Sequence, residues 1–149
     1  MKKLTQAAQA AKQIKTELKK LFPKTKFSVT SDNFSMGNAV RIDWTDGVTQ
    51  EQVNNVVRKY QYGSFDGMTD SYSNDNQRND IAQAKYVQTQ RNYSNEARQA
   101  CFEELKTKWP VLENITDIDS TSHELFEMTG CWTASNFVYR ELFKRDLSA

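Results

Sequence analysis

The chain has little of what small domains use for covalent or metallic support: of 149 residues, two are cysteine, two proline, five glycine and one histidine. Cys101 and Cys131 form neither a CxxC pair nor any zinc-type spacing, so neither a disulfide framework nor a zinc site has support in the sequence. So few cysteines in a domain of this size point to a reducing compartment. With one histidine, the only nucleophilic arrangement left open is a pairing of His123 with Cys101 or Cys131, because such partners meet in space rather than in sequence. No apolar run approaches the ~20 residues of a membrane span. After Met1-Lys2-Lys3 the chain reads Leu4-Thr5-Gln6, without the apolar core of a secretion signal. The expectation is a protein of the host-cell cytoplasm with no membrane partner. Phosphate-loop, dinucleotide, HExxH and nucleophile-elbow patterns are all missing, so no catalytic residue, cofactor or resident metal is expected.

What the chain does have is rings and unevenly placed charge. Charged residues make up 26% and hydrophobic ones 38%, a polar balance, yet 11% aromatics supply the apolar area that offsets chain entropy and argue against disorder. A chain of this length buries roughly 68–70% of its unfolded surface without staples. The net charge of +1 hides an asymmetry: residues 1–26 hold eight lysines against one glutamate, residues 27–80 four basic groups against eight acids, and residues 81–149 eight against ten. A basic head sits on a mildly acidic body.

Periodicity places the elements. Ala7, Ala11, Ile14, Leu18 and Leu21 lie on one stripe of a helix over Thr5 to Leu21, with Lys12, Lys15 and Lys19 on the other side and Pro23 as its stop. Alternation predicts strands over Lys26 to Thr30 and Ala39 to Trp44, joined by a long connection, Ser31 to Asn38. Thr49-Gln50-Glu51-Gln52 is a capping box, flanked by a Val48–Val53 staple, and opens a second helix through Val53, Val56 and Val57. Gly63 and Gly67 mark turns, and Met68 to Tyr72 reads as a short strand. Ser73 to Asp80 is a polar loop, and Ala84 to Thr89 is either a strand or a short helix. Ser94 caps a helix to Lys108 bearing Ala97, Cys101, Phe102 and Leu105. A second box at Thr121-Ser122-His123-Glu124 opens a short helix closed near Gly130, and Ala134 to Arg145 carries Phe137, Val138, Leu142 and Phe143. The fold class is α+β: a helix–hairpin–helix–strand unit with a small antiparallel sheet over residues 1–73, then a mainly helical extension over 74–149 packed with it as one body.

Three kinds of chemistry are conceivable. Asp43, Asp46, Asp66 and Asp70 surround the predicted sheet ends, and clustered oxygens suit hard cations; aspartate beside glycine, as in Asp46-Gly47 and Asp66-Gly67, equally marks ordinary turns. The helix lysines Lys12, Lys15, Lys19 and Lys20 are candidates for nucleic-acid phosphate. Arg58, Lys59, Tyr60 and Tyr62, with Phe65 and Tyr72 beyond, interleave cations and rings as single-strand binders do, or else pack the second helix on the sheet.

The segments Ala39 to Gly47, Val57 to Tyr60 and Gly63 to Tyr72 (with the phrase FDGMTDSY), preceded by Ala11-Lys12-Gln13-Ile14-Lys15, Phe22-Pro23 and Lys26 to Val29, resemble the large polyvalent protein-associated domain family, type twenty-nine, over about residues 8–73. The resemblance implies a phage or plasmid setting, in proteins thought to enter a new host with the DNA, and brings no catalytic residues. It favours a non-enzymatic mobile-element protein that binds a host or invader protein complex, such as a CRISPR or restriction system, through Trp44, Arg58, Lys59, Tyr60, Tyr62, Phe65, Asp66, Asp70 and Tyr72. Exposed tyrosine, tryptophan and arginine are the usual anchors of such contacts. The alternatives are nucleic-acid binding through the lysine helix and a metal-dependent enzyme built on the aspartates.

Overall fold

A computed structural model describes residues 4–148; Met1, Lys2 and Lys3, which began the reading of the N-terminus, lie outside the described residues. The architecture is α+β, and the chain divides into two compact units, residues 1–92 with 147–149, and Tyr93–Asp146. The first unit extends past residue 73 to the end of its last strand. Among the described residues no helix is long and apolar enough to cross a membrane.

The first unit opens with α1, Gln6–Leu21, whose N-cap Thr5 accepts a hydrogen bond from the Ala8 N–H at 3.2 Å, satisfying one of the donors a helix start leaves over. Lys19 and Lys20 in its last turn suit the negative end of the helix dipole. Ala7, Ala10, Ala11, Ile14 and Leu18 are buried; Leu21, expected on this stripe, is exposed as the last residue of the helix.

Strands β1 (Ser28–Phe34) and β2 (Gly37–Thr45) pair antiparallel. The connection is two residues, Ser35-Met36, not the long loop expected. Ser31 to Phe34 carries no apolar alternation because it lies on an edge strand, held by backbone pairing rather than by burial. Gly37, with φ +152, supplies a conformation that side chains rarely adopt. Helix α2 (Gln50–Val57) starts at Thr49 with both bonds of its capping box formed, and a 3-10 turn over Arg58–Tyr60 follows. A small hairpin, β3 (Ser64–Asp66) with β4 (Ser71–Ser73), leads through a polar loop to β5 (Tyr86–Asn92). This resolves the ambiguous Ala84 to Thr89 segment as strand. β5 pairs parallel with β2, giving a sheet in the order β1-β2-β5.

The sheet is one-sided. Val40, Ile42 and Trp44 of β2 face a core with α1, Val48, Val53 and Val57 of α2, Tyr60 and Ala84, each large side chain contributing about 1.5–3 kcal/mol. Phe27 lies tilted on Trp44 with ring centres 5.5 Å apart. On the other face Arg41, Thr45, Gln88 and Gln90 are exposed. Period-two alternation on the central strand therefore carries the fold.

The second unit holds α3 (Asn95–Lys108), a 3-10 turn (Pro110–Asn114), α4 (His123–Thr129) and α5 (Ala134–Phe143). Cys101, Phe102, Leu105, Leu112, Leu125, Phe137, Val138 and Leu142 are buried, whereas Phe143 is exposed. The cap of α4 is Ser122, whose hydroxyl accepts from Leu125 N–H at 3.2 Å. Thr121 instead bridges Thr133 in extended conformation. Gly130, at φ +77, closes α4 in the left-handed conformation.

Candidate recognition surface

At the end of the sheet where β1 turns into β2, four rings adjoin in a row. Tyr62 meets Tyr72 edge-on at 6.0 Å, Tyr72 meets Tyr86 edge-on at 5.6 Å, and Tyr86 stacks with Phe34 at 6.5 Å. The chain itself sets the row: Phe34 closes the first hairpin, Tyr86 opens β5 opposite Ala39, and Tyr72 lies on β4 opposite Phe65. Lys85 runs along it, with its Nζ 5.1 Å from the centre of Tyr72 and 5.6 Å from that of Tyr86, within cation–π range. The same Nζ donates to the Met36 carbonyl at 2.9 Å. The Tyr72 hydroxyl donates to the Lys85 carbonyl at 2.5 Å. Burial, followed by the neighbouring Tyr62, Tyr86 and Asp75, pushes the Tyr72 phenol up to about 12, so this ring is a neutral donor across the ordinary pH range.

Gly63 makes the arrangement possible. A Cβ there would lie 2.2 Å from the Ser73 carbonyl oxygen and 2.5 Å from the Tyr72 ring, so the backbone passes directly beneath the tyrosine. Beyond the row projects the β3–β4 hairpin, spelled by FDGMTDSY. Its tip is an Asx turn: Asp66 Oδ1 accepts the Met68 N–H at 2.9 Å, and that bond, with help from Thr69, holds the Asp66 carboxyl below its usual range. Asp70 takes a positive φ of 51°, a conformation aspartate tolerates better than most residues. The turn leaves Phe65 56% and Met68 97% exposed, and Met36 on the neighbouring turn is 78% exposed.

The sequence-predicted contact residues separate into three groups. Tyr62, Tyr72 and Phe65 belong to this surface. Asp66 and Asp70 shape its tip. Trp44 and Tyr60 are corrections: they are 2% and 4% exposed and cannot serve as accessible anchors. Trp44 donates its indole N–H to the Val48 carbonyl at 2.9 Å, and the Tyr60 hydroxyl donates to Glu17 Oε2 at 2.5 Å. Lys59 is engaged in the same group through Glu17 Oε1 at 2.7 Å. Burial works to raise the Glu17 carboxyl, but hydrogen bonds from Lys59 and Tyr60, with the charges of Lys59 and Lys20, outweigh it and leave the acid below its ordinary value. Arg58 is exposed and lines a neighbouring cleft of about 780 Å³ with Asn54, Gln61, Asp75, Asn76 and Thr89. Phe34, Met36, Met68, Lys85 and Tyr86 were missed by the sequence reading; period-two spacing of Phe34 from Ser28, Thr30 and Asp32 was the available signal.

Lys12, Lys15, Lys19 and Lys20 are all exposed on α1. The four aspartates of the metal alternative are not one site: Asp43 and Asp46 line a cavity at the far end of the sheet, Asp66 and Asp70 shape the hairpin tip, and among the described residues no group of three or more His, Cys, Asp or Glu could hold a metal ion. Burial pushes the Cys101 thiol up, which makes it a poor nucleophile. His123 is exposed beside Glu127, 3.5 Å away, and edges onto Trp132.

Sheet, caps and ring row together define an α+β domain that presents apolar side chains at one end of its sheet. The chain belongs to the large polyvalent protein associated domain 29 family, whose model matches residues 5–94. The match covers the first unit through β5 and stops as the second begins. No curated protein and no solved structure matches the chain.

Proposed function

We propose that the family domain is a non-enzymatic binding module of a phage or plasmid, and that it contacts a protein complex of host or invader through the ring row and the hairpin tip. The observation that carries this reading is the exposure of Phe65 and Met68 on a turn held in place by its own hydrogen bonds. Exposed apolar side chains gathered on an ordered element mark interaction sites, and methionine adapts to varied partner surfaces. Occlusion needs no reacting group, so a defence assembly such as a CRISPR or restriction complex is a target on which binding alone has an effect. The test is capture from host lysate, with and without nuclease, by the wild-type chain and by a Phe65→Ser/Met68→Ser variant. The reading expects a nuclease-resistant partner that the variant loses at unchanged melting temperature. A partner held equally by both chains would exclude this surface.

A second reading is favoured by one observation. Glu17, the only acid on α1, turns inward to Lys59 and Tyr60, which leaves the outer side of the helix cationic. If that side binds duplex DNA, affinity falls with salt by about 0.9 log units per log unit for each neutralised phosphate; a flat salt dependence removes the reading.

A further inference from the structure

The two edges of the sheet are treated differently. On β5 the outward backbone is covered by carboxamides: Gln61 Oε1 accepts the Val87 N–H at 2.8 Å, and Gln50 Nε2 donates to the Thr89 carbonyl at 3.0 Å. These side chains stand where a neighbouring strand's peptide groups would. β1 has no such cover. Phe34 and Gly37 close a two-residue turn, so they exchange both hydrogen bonds, and bonded pairs then alternate with unbonded ones along the ladder. Ser28, Thr30, Asp32 and Phe34 point their peptide groups at β2, and Val29, Ser31 and Asn33 point theirs outward. Among the described residues none of those three has a backbone hydrogen-bond partner on that side. The seven residues Ser-Val-Thr-Ser-Asp-Asn-Phe also lack the lysine, proline or bulge with which natural edges are blunted; their one charge, Asp32, pairs with Ala39 on the face away from α1 and its lysines.

The charge beside this edge identifies what fits it. α1 lies over β1 and β2. One flank of the helix faces the β5 side, where Glu17 meets Lys59 and Tyr60 and Gln13 Oε1 accepts the Ala82 N–H at 3.4 Å. At about 100° per residue, Lys12, Lys15 and Lys19 fall on the opposite flank, above the open edge. A strand laid along β1 would run beneath three lysines. A second copy of β1 is the poorer match, because a two-fold pairing would bring two lysine flanks together.

We infer that the outer edge of β1 is a strand-addition site for an extended, acid-bearing segment of a partner protein. Backbone pairing with Val29, Ser31 and Asn33 supplies the affinity, and the lysine flank selects acidic side chains. This surface adjoins the ring row at Phe34 but does not include the β3–β4 hairpin, so the Phe65→Ser/Met68→Ser variant leaves it intact.

The experiment uses the full chain and a capped peptide of about eight residues alternating threonine or valine with glutamate. Amide hydrogen exchange at Val29, Ser31 and Asn33 slows by about tenfold or more on adding the peptide. The lysine-for-glutamate version binds at least about tenfold more weakly. Ser31→Pro removes an outward N–H that makes no bond to β2, and abolishes binding while circular dichroism stays unchanged. Should that variant fail to fold, Lys15→Glu/Lys19→Glu serves instead and reverses the preference between the two peptides. Unchanged exchange at the three amides under millimolar acidic peptide overturns the inference. So does protection that grows with protein concentration alone, which would assign the edge to a second copy, or protection of the same amides by duplex DNA.

Discussion

Phe22, Phe27, Trp44 and Tyr60 pack in or against the core of the first unit, whereas Phe34, Tyr62, Tyr72 and Tyr86 form a row that keeps part of each ring at the surface. Tyr60 and Tyr62 are separated by one residue and belong to opposite groups. The first ends the 3-10 turn after α2 and reaches Glu17; the second follows the chain out toward β3. Composition and spacing treat the two alike, so what separates a ring that stabilises from a ring that can recognise is the strand or turn that aims it.

That contrast can be broken at several points. Trp44→Ala should have the largest effect, about 3–5 kcal/mol, because the indole is buried, packed on Phe27 and bonded to Val48; thermal unfolding measures it, and a loss below about 1 kcal/mol would move Trp44 out of the core. Gly63→Ala should cost about 1–3 kcal/mol, since its methyl meets backbone at Ser73 as well as the Tyr72 ring. Its diagnostic is faster amide exchange across β3 and β4 with β1 and β2 unaffected.

Tyr60→Phe should cost about 1–2 kcal/mol, because Glu17 loses a charge-assisted partner while Lys59 remains. The pH profile sharpens this. Burial and the Glu17 carboxylate raise the Tyr60 phenol, so its contribution is complete below about pH 10 and fades as pH rises beyond the phenol's ordinary value. Tyr72, raised to about 12, behaves alike, losing its contribution between about pH 10 and 12. Glu17 is lowered and has the opposite sign: its contribution is present above the usual carboxylate range and lost on acidification through it. Tyr60→Phe therefore flattens the alkaline limb of stability and Glu17→Gln the acid limb; unchanged limbs would show that the buried group is not ionically coupled. The smallest effect is expected for Phe65→Ser, within about 0.5 kcal/mol in stability, with its cost appearing in partner binding alone.

Much of the helical framework was legible. The Thr49 box, the Ser94 cap and Pro23 are local devices that act within about one turn, and each stands where spacing put it; the α1 stripe does too, except for Leu21. The β2 alternation was equally readable because the central strand meets a core on one face only. The reading failed where a segment is held from outside itself. Ser31 to Phe34 became strand through its ladder with β2, and the segment left open between strand and helix was decided by parallel pairing of Tyr86 to Asn92 with residues some forty-seven positions earlier. Two members of the contact set, Trp44 and Tyr60, are buried for the same reason: Phe27 and Val48 close over the first and Glu17 of α1 meets the second.

Caps, breakers and periodicity are short-range, so the order of residues was enough to establish the helices, the one-sided central strand and the family. Which rings lie inside, which carboxylates shape turns and which sheet edge stays open depend on segments distant in sequence that meet only when the chain folds, and desolvation by those segments is what changes a side chain's role.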